Sequence, residues 1–175
     1  MDIALIGKGC LRVKGKNASF LVDPAISTPK TQTDAIVLLR QSVSTQISPK
    51  IEGSRIIIVG PGEYEVSGVK ILTTRVGDSL VARVDVDSVK LLIGSGISIE
   101  KIHDNAPECD VAVINSDKDF NQGVLTSLEP KVLLIYGEGK EEVVKSLGKS
   151  EASKLSKFSI TSEKLPAEMQ VFLLE

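Results

Sequence analysis

The side chains with the clearest chemical potential are two glutamates on either side of a tyrosine, Glu63, Tyr64 and Glu65. They come directly after a Gly-Pro-Gly turn at 60–62. Proline fixes φ and glycine admits positive φ, so this tripeptide predicts a tight turn between two apolar runs. Two carboxylates beside a phenol at a strand end could line a binding cleft. The alternative is a tight loop with solvated charges, since most exposed loop charge is only solvated.

Nucleophilic side chains lack the partners that would activate them. Ser95 lies between two glycines after an apolar run, but the sequence has no G-x-S-x-G motif and no obvious histidine base beside it. A strand-ending turn is therefore favoured there. Cys10 would be reactive if Lys8 lowered its pKa, whereas a buried structural cysteine is the other interpretation. Gly7-Lys8-Gly9 follows the first apolar run, but the pattern predicts no helix after it to bind a phosphate.

Metal ligands are scarce. His103 is the only histidine in the chain, and no HxH, HxxxH or paired-cysteine spacing occurs. Zinc sites are built from such side chains, so the sequence predicts no zinc site and no cofactor. A site for Mg²⁺ made of carboxylates alone stays open, because it has no spacing signature.

Apolar runs and turn residues define the elements that position these side chains. Strands joined by hairpin-type links come first, and strands alternate with helices later, which predicts an α/β or α+β fold with two β layers and helices outside. At 175 residues the chain is expected to be a single domain, residues 1–175. The predicted strands are 3–6, 10–14, 18–22, 35–39, 55–59, 69–74, 80–86, 89–93, 110–114, 131–136 and 170–174, and the predicted helices are 99–103, 121–128 and 140–147.

Composition excludes several classes of function. A formal net charge of −2 gives no reason to expect nucleic acid or an anionic membrane as partner. No apolar run reaches the roughly 18 residues that span a bilayer. The first residues lack the basic and apolar regions of a signal peptide, so a cytoplasmic location is expected. Cys10 and Cys109 lie far apart in the sequence, which favours reduced thiols.

Taken together, segments from nearly the whole chain resemble the metallo-β-lactamase fold, in the branch that includes ascorbate-6-phosphate lactonase-like hydrolases. The more specific ones are Phe-Leu-Val-Asp-Pro at 20–24 and the Gly-Pro-Gly-Glu-Tyr-Glu-Val segment at 60–66. The resemblance implies a four-layer αββα sandwich, with two mixed β-sheets and helices outside. It also implies metal-dependent hydrolysis. The other matching segments are 6–10, 34–39, 91–94, 109–114, 130–135 and 157–174.

The departures from this family fall on its metal ligands. The positions that correspond to the HxHxDH motif are Arg40, Ser42, Ser44 and Thr45, give or take one residue. A Gly-Asp pair at the end of a later strand is replaced by glycine and Ser95. Arg40 would place a cation where Zn²⁺ should bind, and the two charges would repel at short range. Without the metal nothing lowers the pKa of a water molecule, so the hydrolase activity is not expected.

The leading hypothesis is a metal-free, catalytically degenerate member of this fold, a pseudoenzyme that serves as a binding module or as a subunit of an assembly. It assigns no catalytic residue. Its ligand or protein partner is unidentified, and an ion pair of Arg40 with Glu63 or Glu65 is expected to replace the metal. The alternatives are a hydrolase with an atypical site or a carboxylate-bound metal, and a homo-oligomer formed through sheet edges. The residues expected to line the cleft are Asp23, Arg40, Ser42, Glu63, Tyr64, Glu65 and Ser95.

Overall fold

The structure is a computed structural model, and it describes residues 1–7, 9–40, 47–116, 119–149 and 152–175. These residues form sixteen β-strands and three α-helices. The first eight strands are β1 Asp2–Ile6, β2 Cys10–Lys14, β3 Ser19–Val22, β4 Thr31–Gln32, β5 Ala35–Val37, β6 Ile51–Glu52, β7 Ile56–Ile58 and β8 Gly62–Val66. The other elements are β9 Val69–Val76, β10 Ser79–Val86, β11 Val89–Ser95, α1 Gly96–Ile102, β12 Val111–Asn115, α2 Gly123–Ser127, β13 Val132–Tyr136, α3 Lys140–Ser146, β14 Ser153–Leu155, β15 Lys157–Ser159 and β16 Gln170–Leu174.

Two mixed sheets make up most of the molecule. The six-stranded sheet has the order β15-β1-β2-β3-β5-β7, and its last three strands are parallel. The eight-stranded sheet has the order β14-β16-β13-β12-β11-β10-β9-β8. Its first five strands are parallel, and the remaining pairs are antiparallel hairpins. A short parallel ladder of β4 and β6 stands apart. The predicted pair of mixed sheets is confirmed.

The main core lies between the two sheets. Phe20 and Val13 of the six-stranded sheet and Val84, Leu91 and Leu134 of the eight-stranded sheet belong to one buried cluster. Alternate residues of β11, β12 and β13 point to the other face of their sheet, where a second cluster packs under the helices. Because these parallel strands are buried on both faces, their sequences are continuous apolar runs rather than alternating ones.

The layers outside the sheets differ from each other. In the described part of the chain, the buried faces of all three α-helices pack on the eight-stranded sheet. The opposite side of the six-stranded sheet carries the segment that leads into β4, where Thr28 lies close to the thiol of Cys10. No helix among the described residues is both long and apolar enough to cross a membrane.

Two local predictions need correction. The residues after the Gly-Pro-Gly turn form the edge strand β8 rather than a loop, because glutamate, tyrosine, glutamate and valine alternate between exposed and more buried positions. The N-cap of the helix after β11 is Ser95 and not Ser98. The hydroxyl oxygen of Ser95 accepts a hydrogen bond from the Ser98 backbone N–H, which is the usual capping contact.

Candidate functional site

The carboxyl ends of parallel strands from both sheets meet at one edge of the molecule. Ligands of α/β proteins commonly bind at such an edge, in the crevice outside the strand ends. Here the side chains come from loops and strand ends that are far apart in sequence. The ones that line this edge are Asp23 after β3, Arg40 after β5, Ser95 at the end of β11, Asn115 at the end of β12 and Tyr136 at the end of β13.

Backbone hydrogen bonds hold the two sheets together at this point. The Leu80 N–H donates to the Leu39 carbonyl oxygen over 2.8 Å. Arg40 and Ser79 form an isolated antiparallel bridge beside it. The start of β10 is therefore fixed against the segment that follows β5, and Arg40 lies at the junction of the sheets.

Asp23 binds Arg40 at the centre of this edge. One carboxylate oxygen, Oδ1, accepts hydrogen bonds from the backbone N–H groups of Leu39 at 2.8 Å and Arg40 at 3.3 Å. The other, Oδ2, accepts from the Arg40 Nε at 2.9 Å. Asp23 is only 4% exposed, and its φ of 48° is a left-handed conformation that aspartate tolerates better than most residues. A single carboxylate thus fixes both the backbone and the side chain of Arg40.

The environment of Asp23 makes its charge depend on Arg40. Burial raises the pKa of the Asp23 carboxyl above its usual value. The charge of Arg40 and the hydrogen bonds from Leu39 and Arg40 lower this pKa and offset part of the effect of burial. The ionised carboxylate is therefore tolerated in a buried position because a cation and three N–H donors surround it.

Hydroxyl groups form one wall of the site. The Ser95 and Ser98 hydroxyl oxygens lie 2.8 Å apart, so one donates to the other. Ser98 is buried, as is Asn115 on the neighbouring strand. Together with Ser79 they present polar groups from three strands and the first turn of α1.

These polar groups border a cavity of about 290 Å³ that opens from the strand ends. Among the described residues, two cationic side chains, Arg40 and Lys101, and one acidic side chain, Asp78, lie on its wall. Val76 and Ile97 supply apolar surface. A concave site with a few convergent polar groups on an otherwise apolar wall is the usual form of a small-molecule pocket. We refer to this cavity as the strand-end pocket.

The structure brings together three of the residues that the sequence suggested for a cleft and separates three others. Asp23, Arg40 and Ser95 meet at the strand ends, whereas Ser42 lies outside the described residues. Glu63 and Glu65 lie on the exposed side of β8.

The ion pair that we expected between Arg40 and one of these glutamates is wrong, because Arg40 binds Asp23 instead. Glu63, Tyr64 and Glu65 border a separate groove of about 320 Å³. Tyr64 packs against the main core, and its hydroxyl donates to the Gly60 carbonyl oxygen at 3.2 Å. The segment at 60–66 therefore shapes the edge of the eight-stranded sheet and not the strand-end pocket.

Several residues at the strand ends were missed in the sequence. Ser79, Ser98, Lys101, Asn115 and Tyr136 all line the strand ends. A signal was available for two of them: Asn115 and Tyr136 each end an apolar run that predicts a buried parallel strand. Polar or aromatic residues at the ends of adjacent parallel strands are candidates for one site, provided that the strand order is known.

The donor set at the strand ends does not fit a zinc ion. Zinc needs thiolate, imidazole or carboxylate ligands. Asp23 supplies a carboxylate, but both of its oxygens accept hydrogen bonds, and the Arg40 cation would repel a metal ion at this distance. The His103 ring binds locally instead, through the Glu100 carbonyl oxygen and the Asp104 carboxylate. Across the residues that the structure describes, no three side chains of histidine, cysteine, aspartate or glutamate are grouped to bind a metal.

The two thiols are expected to be unreactive in the folded protein. Burial raises the pKa of Cys10 to about 12, and burial likewise raises the pKa of Cys109 to about 12. The nucleophilic thiolate is therefore scarce at neutral pH. A colorimetric disulfide reagent at pH 8 should label neither thiol in the native protein within minutes and both after denaturation. Fast labelling of Cys10 in the native state would contradict its burial.

Comparisons with known proteins identify the fold. No family model matches the chain, and no curated protein matches it in sequence. A Thermotoga maritima structure described as a Zn-dependent hydrolase of the metallo-β-lactamase superfamily superimposes with a TM-score of 0.74 at 18% identity, over 100% of this chain and 99% of that one. A structure from Parabacteroides distasonis described as a metal-dependent hydrolase gives a TM-score of 0.61 at 13% identity, over 99% and 93% of the two chains.

A third structure, isothiocyanate hydrolase from Delia radicum gut bacteria, gives a TM-score of 0.62 at 14% identity, over 93% of this chain and 100% of that one. Identities this low show a shared fold and no more. The chain has the metallo-β-lactamase-type fold, as its sequence motifs predicted.

Proposed function

We propose that this chain is a metal-independent, non-catalytic binding module that holds a small polar ligand in the strand-end pocket. One observation carries the proposal: the ion pair of the buried Asp23 with Arg40, 2.9 Å long, at the convergence of the strand ends. The ion pair places a guanidinium group, and not a metal ion, next to the buried carboxylate of the cleft. In this proposal the chain keeps the fold of the hydrolases, and side chains of the protein occupy the part of the cleft where a metal ion would bind.

The chemistry of the pocket supports binding rather than hydrolysis. Hydrolysis by a metal-dependent enzyme needs a metal-bound water of lowered pKa. The described polar groups of the strand-end pocket are hydroxyls, an amide, two cationic side chains and the exposed carboxylate of Asp78. The hydroxyls of Ser95 and Ser98 hydrogen-bond each other, and neither pairs with the ring of His103. A serine without a base is a poor nucleophile but a good hydrogen-bond partner.

Metal analysis is the decisive test. Protein purified without chelators from cells grown with added zinc, manganese and iron is expected to contain far less than one metal ion per chain. Zn²⁺ added to this protein is expected to leave Tm unchanged, because a ligand raises Tm only if it binds the native state. Elemental analysis and a thermal melt provide the two readouts.

The alternative is a hydrolase with an atypical site, since solved structures of the same fold are described as hydrolases. Stoichiometric metal that survives dialysis, or a Zn²⁺-dependent rise in Tm, would overturn the binding-module proposal and favour this alternative. An Asp23→Asn variant is the control for metal content and for the Tm. It removes the carboxylate of the ion pair and retains an amide oxygen for the backbone donors.

A further inference from the structure

We propose that the edge strand β8 binds an extended, basic segment of another protein, which adds to the eight-stranded sheet as a further antiparallel strand. The bound segment carries lysine or arginine at alternate positions, opposite Glu63 and Glu65. This surface lies apart from the strand-end pocket and uses the segment at 60–66, which has no part in the proposed function. Three features support it: the hydrogen-bond register of β8, two carboxylates without a cation, and the groove beside the strand.

The backbone groups of Glu63 and Glu65 point to the open edge of the sheet. β8 is the last strand of this sheet among the described residues, and it pairs with β9 in antiparallel register. A two-residue turn at 67–68 joins the strands, and both of its residues have positive φ, 52° and 81°. The pair that flanks such a turn, Val66 and Val69, exchanges both backbone hydrogen bonds, and every second pair repeats this exchange. The even-numbered residues of β8 therefore bond to β9, and the N–H and C=O groups of the two glutamates are left at the edge.

The side chains of Glu63 and Glu65 carry negative charge at this edge. Both are exposed, and neither forms an ion pair with another described residue. Lys70 lies opposite Glu65 and also opposite Asp85, so one ammonium group stands between two carboxylates. Arg83 already hydrogen-bonds Asp85. These five side chains carry three negative and two positive charges, and the glutamates at the edge are the ones left without a hydrogen-bonded cation.

A strand added to this edge places its own side chains directly against the two carboxylates. In an antiparallel pair, two residues that exchange backbone hydrogen bonds lie opposite each other, with Cα atoms about 5.5 Å apart. The residues that bond to the backbone of Glu63 and Glu65 are therefore the ones whose side chains meet the carboxylates. Opposite charges at such cross-strand positions stabilise the pair, and like charges destabilise it. The bound segment is thus basic at alternate positions.

The same rule excludes a second copy of this chain as the occupant. Antiparallel pairing of β8 with the β8 of another copy, centred on Tyr64 or on either glutamate, places a glutamate of one copy opposite a glutamate of the other. Charged side chains on an edge strand are a common protection against pairing between identical sheets. The two glutamates therefore oppose self-association and leave the edge open to a segment of opposite charge.

The groove beside β8 gives the basic side chains a surface to pack on. Its volume is about 320 Å³, and Leu72, which is 37% exposed, contributes apolar surface to its wall. The stems of lysine and arginine are apolar and cover such surface. The start of β8 is held in place, because the Gly60 carbonyl oxygen accepts hydrogen bonds from the hydroxyls of Tyr64 at 3.2 Å and Thr73 at 2.7 Å. An edge that is ordered before binding loses little conformational entropy when the segment is added.

The test is a titration of the full chain with two peptides, followed by ¹H–¹⁵N NMR. Both peptides are acetylated and amidated; the basic probe is Thr-Val-Lys-Val-Lys-Val-Thr, and the acidic probe has glutamate in place of lysine. The basic peptide is expected to shift the amide resonances of residues 62–66 in a saturable way. Its dissociation constant should be about tenfold lower than that of the acidic peptide, because two cross-strand charge pairs change sign. No saturable shift at β8, or equal affinity for the two peptides, would overturn the proposal.

Backbone methylation distinguishes strand addition from simple attraction of charge. N-methylation of both lysines removes the N–H groups that donate to the carbonyl oxygens of Glu63 and Glu65, so it is expected to abolish binding. The matched control peptide is methylated at the valine between the lysines, whose N–H points away from β8, and it should bind like the unmodified peptide. Equal binding of the two methylated peptides would contradict strand addition.

A charge reversal on the protein completes the test. The Glu63→Lys/Glu65→Lys variant is expected to prefer the acidic peptide about tenfold. Glu163→Lys/Glu168→Lys is the matched control, because it changes the net charge equally at exposed positions outside the groove and should retain the preference for the basic peptide. A thermal melt checks that both variants fold. If the control reverses the preference as well, the peptides respond to the net charge of the chain and β8 is not the binding site.

Discussion

Replacing Arg40 by methionine is expected to lower the free energy of unfolding by about 2 kcal/mol, because it leaves a buried carboxylate without its cation. Methionine retains much of the length of the side chain, so the loss reports on charge more than on packing. The expected cost is below that of a fully buried pair, since the Arg40 side chain is 39% exposed. Two backbone N–H groups also remain to hold the Asp23 carboxylate. Equilibrium denaturation in urea measures the change.

The cost of this substitution should depend on pH. Burial already raises the pKa of Asp23, and removing Arg40 takes away a charge that lowers it, so the pKa rises further in the variant. A carboxyl whose pKa is higher in the folded state destabilises the fold as it ionises, and protonation relieves this cost. The difference in stability between wild type and variant should therefore be smaller at about pH 5 than at about pH 8.

Asp23→Asn provides the matched control. Asparagine tolerates the φ of 48° at this position, and its amide oxygen can still accept from the backbone of Leu39 and Arg40. In the Asp23→Asn background, replacing Arg40 by methionine should cost less and show a weaker pH dependence. If instead the two substitutions are additive, Asp23 and Arg40 are not energetically coupled and the ion pair does not organise the strand ends.

Much of the fold could be predicted because its parallel strands are buried on both faces. The apolar run at 110–114 corresponds to β12, and the run at 131–136 corresponds to β13, with bounds that differ by one residue at most. The strands β4, β6, β14 and β15 were not predicted as strands. They have two or three residues each, which is too short for any periodic signal.

The candidate site was harder to predict, because its residues meet through strand order rather than through spacing in the sequence. Asp23 was visible as part of an Asp-Pro turn. Its partner Arg40 is 17 residues further on, and the two meet only because β3 and β5 are adjacent and parallel. The segment at 60–66 was wrongly predicted to line the cleft for the converse reason. Its local pattern is distinctive, but its place at the edge of the eight-stranded sheet keeps Glu63 and Glu65 away from the strand ends.

Replacing Gly96 by alanine is expected to lower the free energy of unfolding by about 2 kcal/mol, within the range for overpacking a buried site. A Cβ at Gly96 would overlap the ring of Phe120. Phe120 is buried in the cluster between the eight-stranded sheet and the helices, so its ring cannot simply move into solvent. The better helix propensity of alanine offsets only part of this cost. Urea denaturation again gives the stability.

The Gly96→Ala substitution should also affect the strand-end pocket. Gly96 is the first residue of α1, and it lies beside Ser95 on the wall of the pocket. A helix displaced by the new methyl group carries Ser98 and Lys101 with it, so the amide resonances of both residues should shift in ¹H–¹⁵N NMR spectra as stability falls. Gly60→Ala is the matched control, since no atom lies within 4 Å of its added Cβ. Adding Phe120→Leu to the Gly96 variant makes room for the methyl group and should recover part of the loss. A Gly96 variant as stable as the Gly60 control would show that this contact does not constrain α1.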